Sequence, residues 1–413
     1  QEPCNIGLSH NNIKAFCQDR YGMVWIATDG GGLNLFNSRT SEFSYFRHDP
    51  ENANSLASDV NLTVYEDKQG DVWIGTYTKG LDRYDRKNNR FIHYRNDPDN
   101  KSSLINDNVS NLLEDSYGNL WIGTREGLSR LDRKTSSFIH YVKVPNDDKS
   151  LSFNWITAIY EDKNKNLWIG TEEGLNRYNR ATDNFTHFRN NSEYGRLCDD
   201  GILCLLEDHE GNFWVGTENG LTLFDATGTA SQFFTMKNGL PSNVIHAILE
   251  DDHGNLWLST ARGICKFNYK LKTVRSYSIS DGLQGDEFIS NAAVKLHDGR
   301  MIFGGINGFN LFLPDRVNDN GYMPPVYITN FHLFNKPVGI GENSPLKKHI
   351  SAVDEVTLSY KQSVFSFEFA VLNYISPEKN QYAYKMEGFD TEWLYIGTQN
   401  SATYTNLNPG KYT

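Results

Sequence analysis

Five adjacent carboxylate pairs form the densest set of groups in this sequence that could do acid–base chemistry: Glu66/Asp67, Glu114/Asp115, Glu161/Asp162, Glu207/Asp208 and Glu250/Asp251. Two carboxyls flanking one bond can serve as general acid and base, as in glycoside hydrolysis. Their recurrence argues against that use. A residue present in nearly every copy of a repeat serves what every copy needs, and here that is a turn. Asp bonds its own backbone two residues on, and the Gly that follows supplies a positive φ. The Asp-x-x-Gly turns lack the ligand series of an EF-hand, and no CxxC pair suggests zinc. Nucleophile elbow, HExxH, phosphate loop and dinucleotide fingerprint are all missing. Gly30-Gly31-Gly32 follows a strand but precedes another strand, not a helix, which makes a phosphate role weak. The sequence therefore predicts no catalytic residue, no metal ligand and no cofactor, and a chain that is not an enzyme.

Function is better sought at positions that vary between copies. The residue following each conserved Thr (Gly305 in the last copy) is Asp29, Tyr77, Arg125, Glu172, Glu218, Ala261 or Ile306. The ligand-binding candidates are Tyr77, Lys79, Arg125, Trp155, Glu172 and Arg262. Tyr77, Lys79, Arg125 and Arg262 together suit an acidic sugar, because arginine forks a carboxylate or sulfate. Trp155 stands where other copies carry Asn12, Val60, Asn108, Gly201 or Val244. Its ring suits stacking on a sugar or packing beneath a loop. Lys14 and His246 replace neutral residues on an inner strand and are candidates to line a channel. Two rival readings stand beside a ligand-binding module. One is a scaffold that binds a protein and no small ligand. The other is a polysaccharide lyase or hydrolase built around Tyr77, Arg125 and Glu172.

These residues are set in a repeat. LLEDSYGNLWIGTREGLSRLD at 112–132 recurs as IYEDKNKNLWIGTEEGLNRYN at 159–179 and LLEDHEGNFWVGTENGLTLFD at 205–225. Related copies occupy 16–36, 64–85 and 248–268. The tryptophans Trp25, Trp73, Trp121, Trp168, Trp214 and Trp257 lie 48, 48, 47, 46 and 43 residues apart. A degenerate seventh copy at 294–312 puts Ile302 in the Trp position. Each copy reads as four strands, in the third copy Val109–Glu114, Leu120–Thr124, Gly127–Asp132 and Phe138–Val142. A period of this length with four strands is the propeller signature. Residues 1–322 are thus predicted to form a seven-bladed β-propeller whose closing strand is either a short one from Gln1–Ile6 or part of a start that has been removed. From 323 to 413 the pattern changes. Strands are expected at Val326–Phe334, 364–374, Gln381–Glu387 and Thr403–Asn406, with Val364, Ser366 and Glu368 opposite Phe365, Phe367 and Phe369. This reads as an Ig-like β-sandwich, incomplete at its C-terminus, giving an all-β chain of two domains.

Composition bounds the partners. A net charge of −11, from 40 Lys plus Arg against 51 Asp plus Glu, disfavours nucleic acid and a basic membrane-surface patch. No apolar run approaches the ~20 residues needed to span a bilayer. Five scattered cysteines, Cys4, Cys17, Cys198, Cys204 and Cys265, read as small buried hydrophobes, with a Cys198–Cys204 bridge conceivable. The first residue is Gln1, and a processed or excised piece of a longer protein is expected.

The blades resemble the two-component-regulator propeller repeat. YAYKMEGFDTEW (382–393) and ATYTNLNPGKYT (402–413) resemble the triple-tyrosine (Y_Y_Y) domain that follows it. The two patterns cover almost the whole chain. The resemblance implies a periplasmic sensor module of a hybrid two-component histidine kinase of Bacteroides type. It would detect an oligosaccharide and relay that binding through the Y_Y_Y domain to genes of polysaccharide use. It further implies a homodimer in the full receptor and a membrane anchor downstream. Such receptors commonly carry two propellers and a kinase, whereas this sequence has one propeller and none.

Overall fold

The computed structural model describes residues 7–191, 195–225, 231–317, 324–373, 377 and 380–413. The chain divides into two compact units, 1–317 and 318–413. The boundary expected at 322/323 and the closing strand sought in Gln1–Ile6 lie outside the described residues.

Unit 1 contains seven antiparallel sheets in repeat order. The first six have four strands each, paired A-B-C-D, and the seventh has three among the described residues. Blade 3 runs Val109–Glu114, Leu120–Thr124, Leu128–Asp132 and Ser137–Tyr141, within a residue of expectation. Strand B is buried at all five positions in every blade, because neighbouring sheets cover both of its faces. The apolar clusters straddle adjacent blades. Trp121, Leu128 and Tyr141 of blade 3 pack with Ile156, Leu167 and Tyr178 of blade 4. The ring closes in the same way, with Ile13, Phe16 and Ile26 of blade 1 packed on Ala292, Leu296 and Ile302 of blade 7. The Gly308 N–H donates to the Asn11 carbonyl at 2.7 Å across that joint.

The recurring carboxylate pairs build this ring. Asp115 Oδ1 accepts the backbone N–H groups of Tyr117 and Asn119, closing the turn, while Oδ2 accepts the Trp121 indole N–H at 2.9 Å. The glutamate reaches the previous blade: Glu114 Oε2 accepts the Lys68 N–H at 2.6 Å. Glu66, Glu161, Glu207 and Glu250 do the same for Arg20, Ser116, Lys163 and His209. The Asp is thus a turn residue, and the Glu is a staple between blades.

Unit 2 has a four-stranded antiparallel sheet in the order 336–337, 326–333, 364–371, 401–405, and a two-stranded sheet of 382–384 and 394–397. Phe331, Phe365, Phe369 and Tyr404 pack between them with Tyr382, Tyr384 and Ile396. The pair Lys336–Pro337 and the strand Leu394–Gly397 were not expected. The Cys198–Cys204 bridge does not form, and both are free thiols. Cys198 Sγ lies against the Leu221 carbonyl of its own blade and Cys204 Sγ against the Ile245 carbonyl of the next.

Candidate functional site

The turn between strands B and C explains which residues are free to vary. Thr124 Oγ1 donates to the Gly127 carbonyl at 2.8 Å and accepts the Glu126 N–H at 3.1 Å. Thr171, Thr217 and Thr260 repeat this clamp. Thr28 and Thr76 close turns one residue longer. The clamp uses the threonine and backbone groups, so the side chain of the next residue is left to project. Tyr77, Arg125 and Glu172 stand at those positions, and all three are exposed.

Three candidates from three successive blades meet here. The Arg125 guanidinium carbon sits 4.4 Å from the centroid of Trp155 and 5.7 Å from that of Tyr77. Trp155 is half-buried, immediately before the inner strand Ile156–Glu161 of blade 4. Such contacts stabilise by roughly 0.5–1 kcal/mol at exposed sites and more when desolvated. Glu172 joins the group electrostatically. Partial burial pushes its carboxyl up, Glu218 of the next blade pushes it further, and Arg125 opposes both. The result is an aromatic and guanidinium surface bordered by two carboxylates. It can stack a flat apolar face and hydrogen-bond hydroxyls at its edge.

Lys79 and Arg262 are exposed but make no side-chain hydrogen bond or ion pair among the described residues. The basic group of Tyr77, Lys79, Arg125 and Arg262 is therefore not assembled as one set of contacts. Blade 6, which carries Arg262, stands three blades from Arg125. Lys14 pairs with Asp29 at 3.1 Å instead of standing free. His246 Nδ1 lies 3.0 Å from Ser290 Oγ, and burial pushes its imidazole pKa down. No cluster of three or more His, Cys, Asp or Glu among the described residues has the arrangement of a metal site. Sequence reasoning passed over Asn291. Its side chain donates to the carbonyls of Thr157 at 2.9 Å and Leu203 at 2.8 Å, in blades 4 and 5. A lone Asn in a degenerate repeat gave no signal of this.

The architecture defines the class: a repeat-built propeller followed by a sandwich. The two component regulator propeller model matches residues 7–30, 55–78, 103–126, 150–173, 196–219 and 239–262, and the Y_Y_Y domain model matches 373–413. The chain thus carries two component regulator propeller repeats and a Y_Y_Y domain. It is similar to the extracellular domain of the hybrid two-component system BT3049 from B. thetaiotaomicron. That match has 30% identity and a TM-score of 0.79, covering 99% of this chain and 53% of that one. Histidine kinase P4 of Formosa agariphila is 30% identical over 177 residues, 43% of this chain and 13% of the kinase. The chain therefore spans about half of the first and a small part of the second. Virginiamycin B lyase of Staphylococcus aureus, at 15% identity and a TM-score of 0.55, covers 75% of this chain and 96% of its own and shares the fold alone.

Proposed function

We propose that this chain is the extracytoplasmic sensing module of a hybrid two-component histidine kinase. On this reading it detects an oligosaccharide and passes the signal through its Y_Y_Y domain to control polysaccharide use. The supporting observation is the cluster of Tyr77, Arg125 and Trp155 with Glu172 at its edge, drawn from blades 2, 3 and 4. Sugars present apolar C–H faces that stack on indole rings and hydroxyls that bond carboxylates and guanidinium groups. The likeness to the BT3049 extracellular domain and to histidine kinase P4 supports the receptor context and the location outside the cytoplasm. Signalling would be a ligand-driven shift between two arrangements of a dimer.

Calorimetric titration against neutral and acidic oligosaccharides tests this reading. One glycan class should bind, and Trp155→Ala or Arg125→Ala should each weaken it about 10-fold, the scale of one lost stacking or charge-assisted contact. Binding that neither substitution changes would move the site elsewhere. Failure of every glycan, with capture of a protein through the same face, would favour the scaffold reading.

A further inference from the structure

On the side of the ring where the Glu-Asp turns lie, three arginines occupy equivalent slots. Each follows strand C of its blade. It bonds the turn Asp of the preceding blade and the Glu of its own. Arg86 reaches Asp19 at 2.9 Å and Glu66 at 3.1 Å. Arg133 reaches Asp67 at 2.9 Å and Glu114 at 3.4 Å. Arg180 reaches Asp115 at 2.8 Å and Glu161 at 2.9 Å. Aromatic rings flank the guanidinium groups, Trp25 at 5.3 Å from Arg86, Trp73 at 6.0 Å from Arg133 and Tyr117 at 4.4 Å from Arg180. Two carboxylates and an aromatic wall make a complete guanidinium receptor.

The joint between blades 4 and 5 has the same receptor without an arginine. Asp162 and Glu207 stand as the two carboxylates and Trp168 as the ring. The residue after Asp225, in register with Arg86, Arg133 and Arg180, is Ala226, and the sequence Ala226-Thr-Gly-Thr-Ala230 contains no cation. A cavity of about 430 Å³ lies there, its lining including Asp162, Trp168, Arg177, Glu207, Asn212 and Phe213. The other joint that has both carboxylates and no arginine, between blades 5 and 6, is closed by Tyr269. Its ring packs 5.1 Å from Trp214, and its hydroxyl donates to Glu210 and accepts from Asn212.

Two features distinguish the blade 4/5 joint. Asp162 is only partly buried, whereas Asp19, Asp67, Asp115, Asp208 and Asp251 are all buried. Glu207 Oε2 takes the Lys163 N–H at 2.6 Å, but its Oε1 accepts no hydrogen bond among the described residues. In blades 2, 3 and 4 that oxygen takes the arginine. Arg177 does not occupy the slot. It corresponds to Arg83, which lies 5.8 Å from Trp73 while Arg133 shares the same ring.

We propose that the slot of Asp162, Glu207 and Trp168 binds the guanidinium group of a separate molecule, as a free solute or as an arginine side chain of a partner. The planar fork fits two carboxylates offered side by side, and Arg177 on the cavity wall disfavours a compact divalent cation. This site is independent of the cluster around Trp155.

The Trp168 indole N–H donates to Asp162 Oδ2 at 2.8 Å, so its NMR resonance reports directly on the slot. Methylguanidinium should shift that resonance saturably, and urea, a neutral planar analogue, should not. Glu207→Gln, which keeps the acceptor for Lys163 N–H, should weaken binding about 10-fold. Arginine amide compared with a Gly-Arg-Gly peptide separates a free solute from a chain-borne arginine. A response to urea equal to that to methylguanidinium would overturn the proposal. So would a methylguanidinium titration unchanged in Glu207→Gln.

Discussion

Asp115 joins five groups on one carboxylate: two backbone N–H groups of its turn, the Asn119 side-chain amide, the Trp121 indole and the Arg180 guanidinium of the next blade. Burial pushes its pKa up, but the bonds from Trp121, Asn119 and Arg180 outweigh that and hold the carboxyl below the usual range. The sign of the pH dependence follows. A carboxyl whose folded pKa is depressed contributes stability that is present above its unfolded pKa of about 3.9 and is lost as pH falls through the folded value. Asp115→Asn should therefore lower stability near neutral pH by about 3 kcal/mol, the scale for stranding the partner of a buried ion pair. The gap to wild type should hold above about pH 5 and narrow as the pH drops below about 4. Denaturant melts of both proteins across that range measure it. A gap independent of pH would mean that the turn geometry, not the charge, carries the effect.

Between blades the critical contact is small against branched. A Cβ added at Gly123 in strand B of blade 3 would lie 2.7 Å from Ile156 Cγ2, on the first residue of the next inner strand. Gly123→Ala should accordingly destabilise by about 1–3 kcal/mol, the range for overpacking a filled interior. Adding Ile156→Ala should recover part of that loss in a double-mutant cycle of thermal melts. The sequence already contains such an exchange: blade 1 carries Ala27 at the glycine position, and blade 2 begins its inner strand with Asn61, not Ile. This explains why the fold was legible. Every joint solves one packing problem with nearly the same residues, so the repeat exposed both strand order and strand ends. The glutamates recur visibly, but their role as staples and that of the arginines were not legible, because each bonds a neighbouring blade that local sequence does not point to. The cluster around Trp155 was legible only as a set of varying loop positions. Which of them meet depends on the angular distance between blades, and that separated Arg125 from Arg262 while joining it to Trp155.

On the scale of the whole ring, Asn291 breaks the nearest-neighbour rule. In the inner strands of blades 1 to 6 the register slips at a single point near the strand start, as between Ile156 and Ala158 in blade 4. In blade 7 the slip spans Phe288 to Ala293, and Asn291 sits within it at φ 60°. That bulge carries Asn291 to the Thr157 and Leu203 carbonyls, tying the last blade across the axis to blades 4 and 5. Thr157 is two residues from Trp155, and blade 7 is the blade from which the chain continues into the second unit. A ligand that orders Trp155 thus has a short covalent and hydrogen-bonded route to blade 7. Asn291→Gly keeps the backbone conformation and removes both bonds, which isolates the latch from strain. It should cost about 1–3 kcal/mol and speed hydrogen exchange at 156–159, 202–205 and 288–295. A ligand bound at Trp155 should slow exchange in 288–295 of the wild-type protein and lose that effect in Asn291→Gly. Equal protection of 288–295 in both proteins would show that coupling runs around the ring, blade by blade, and not across it.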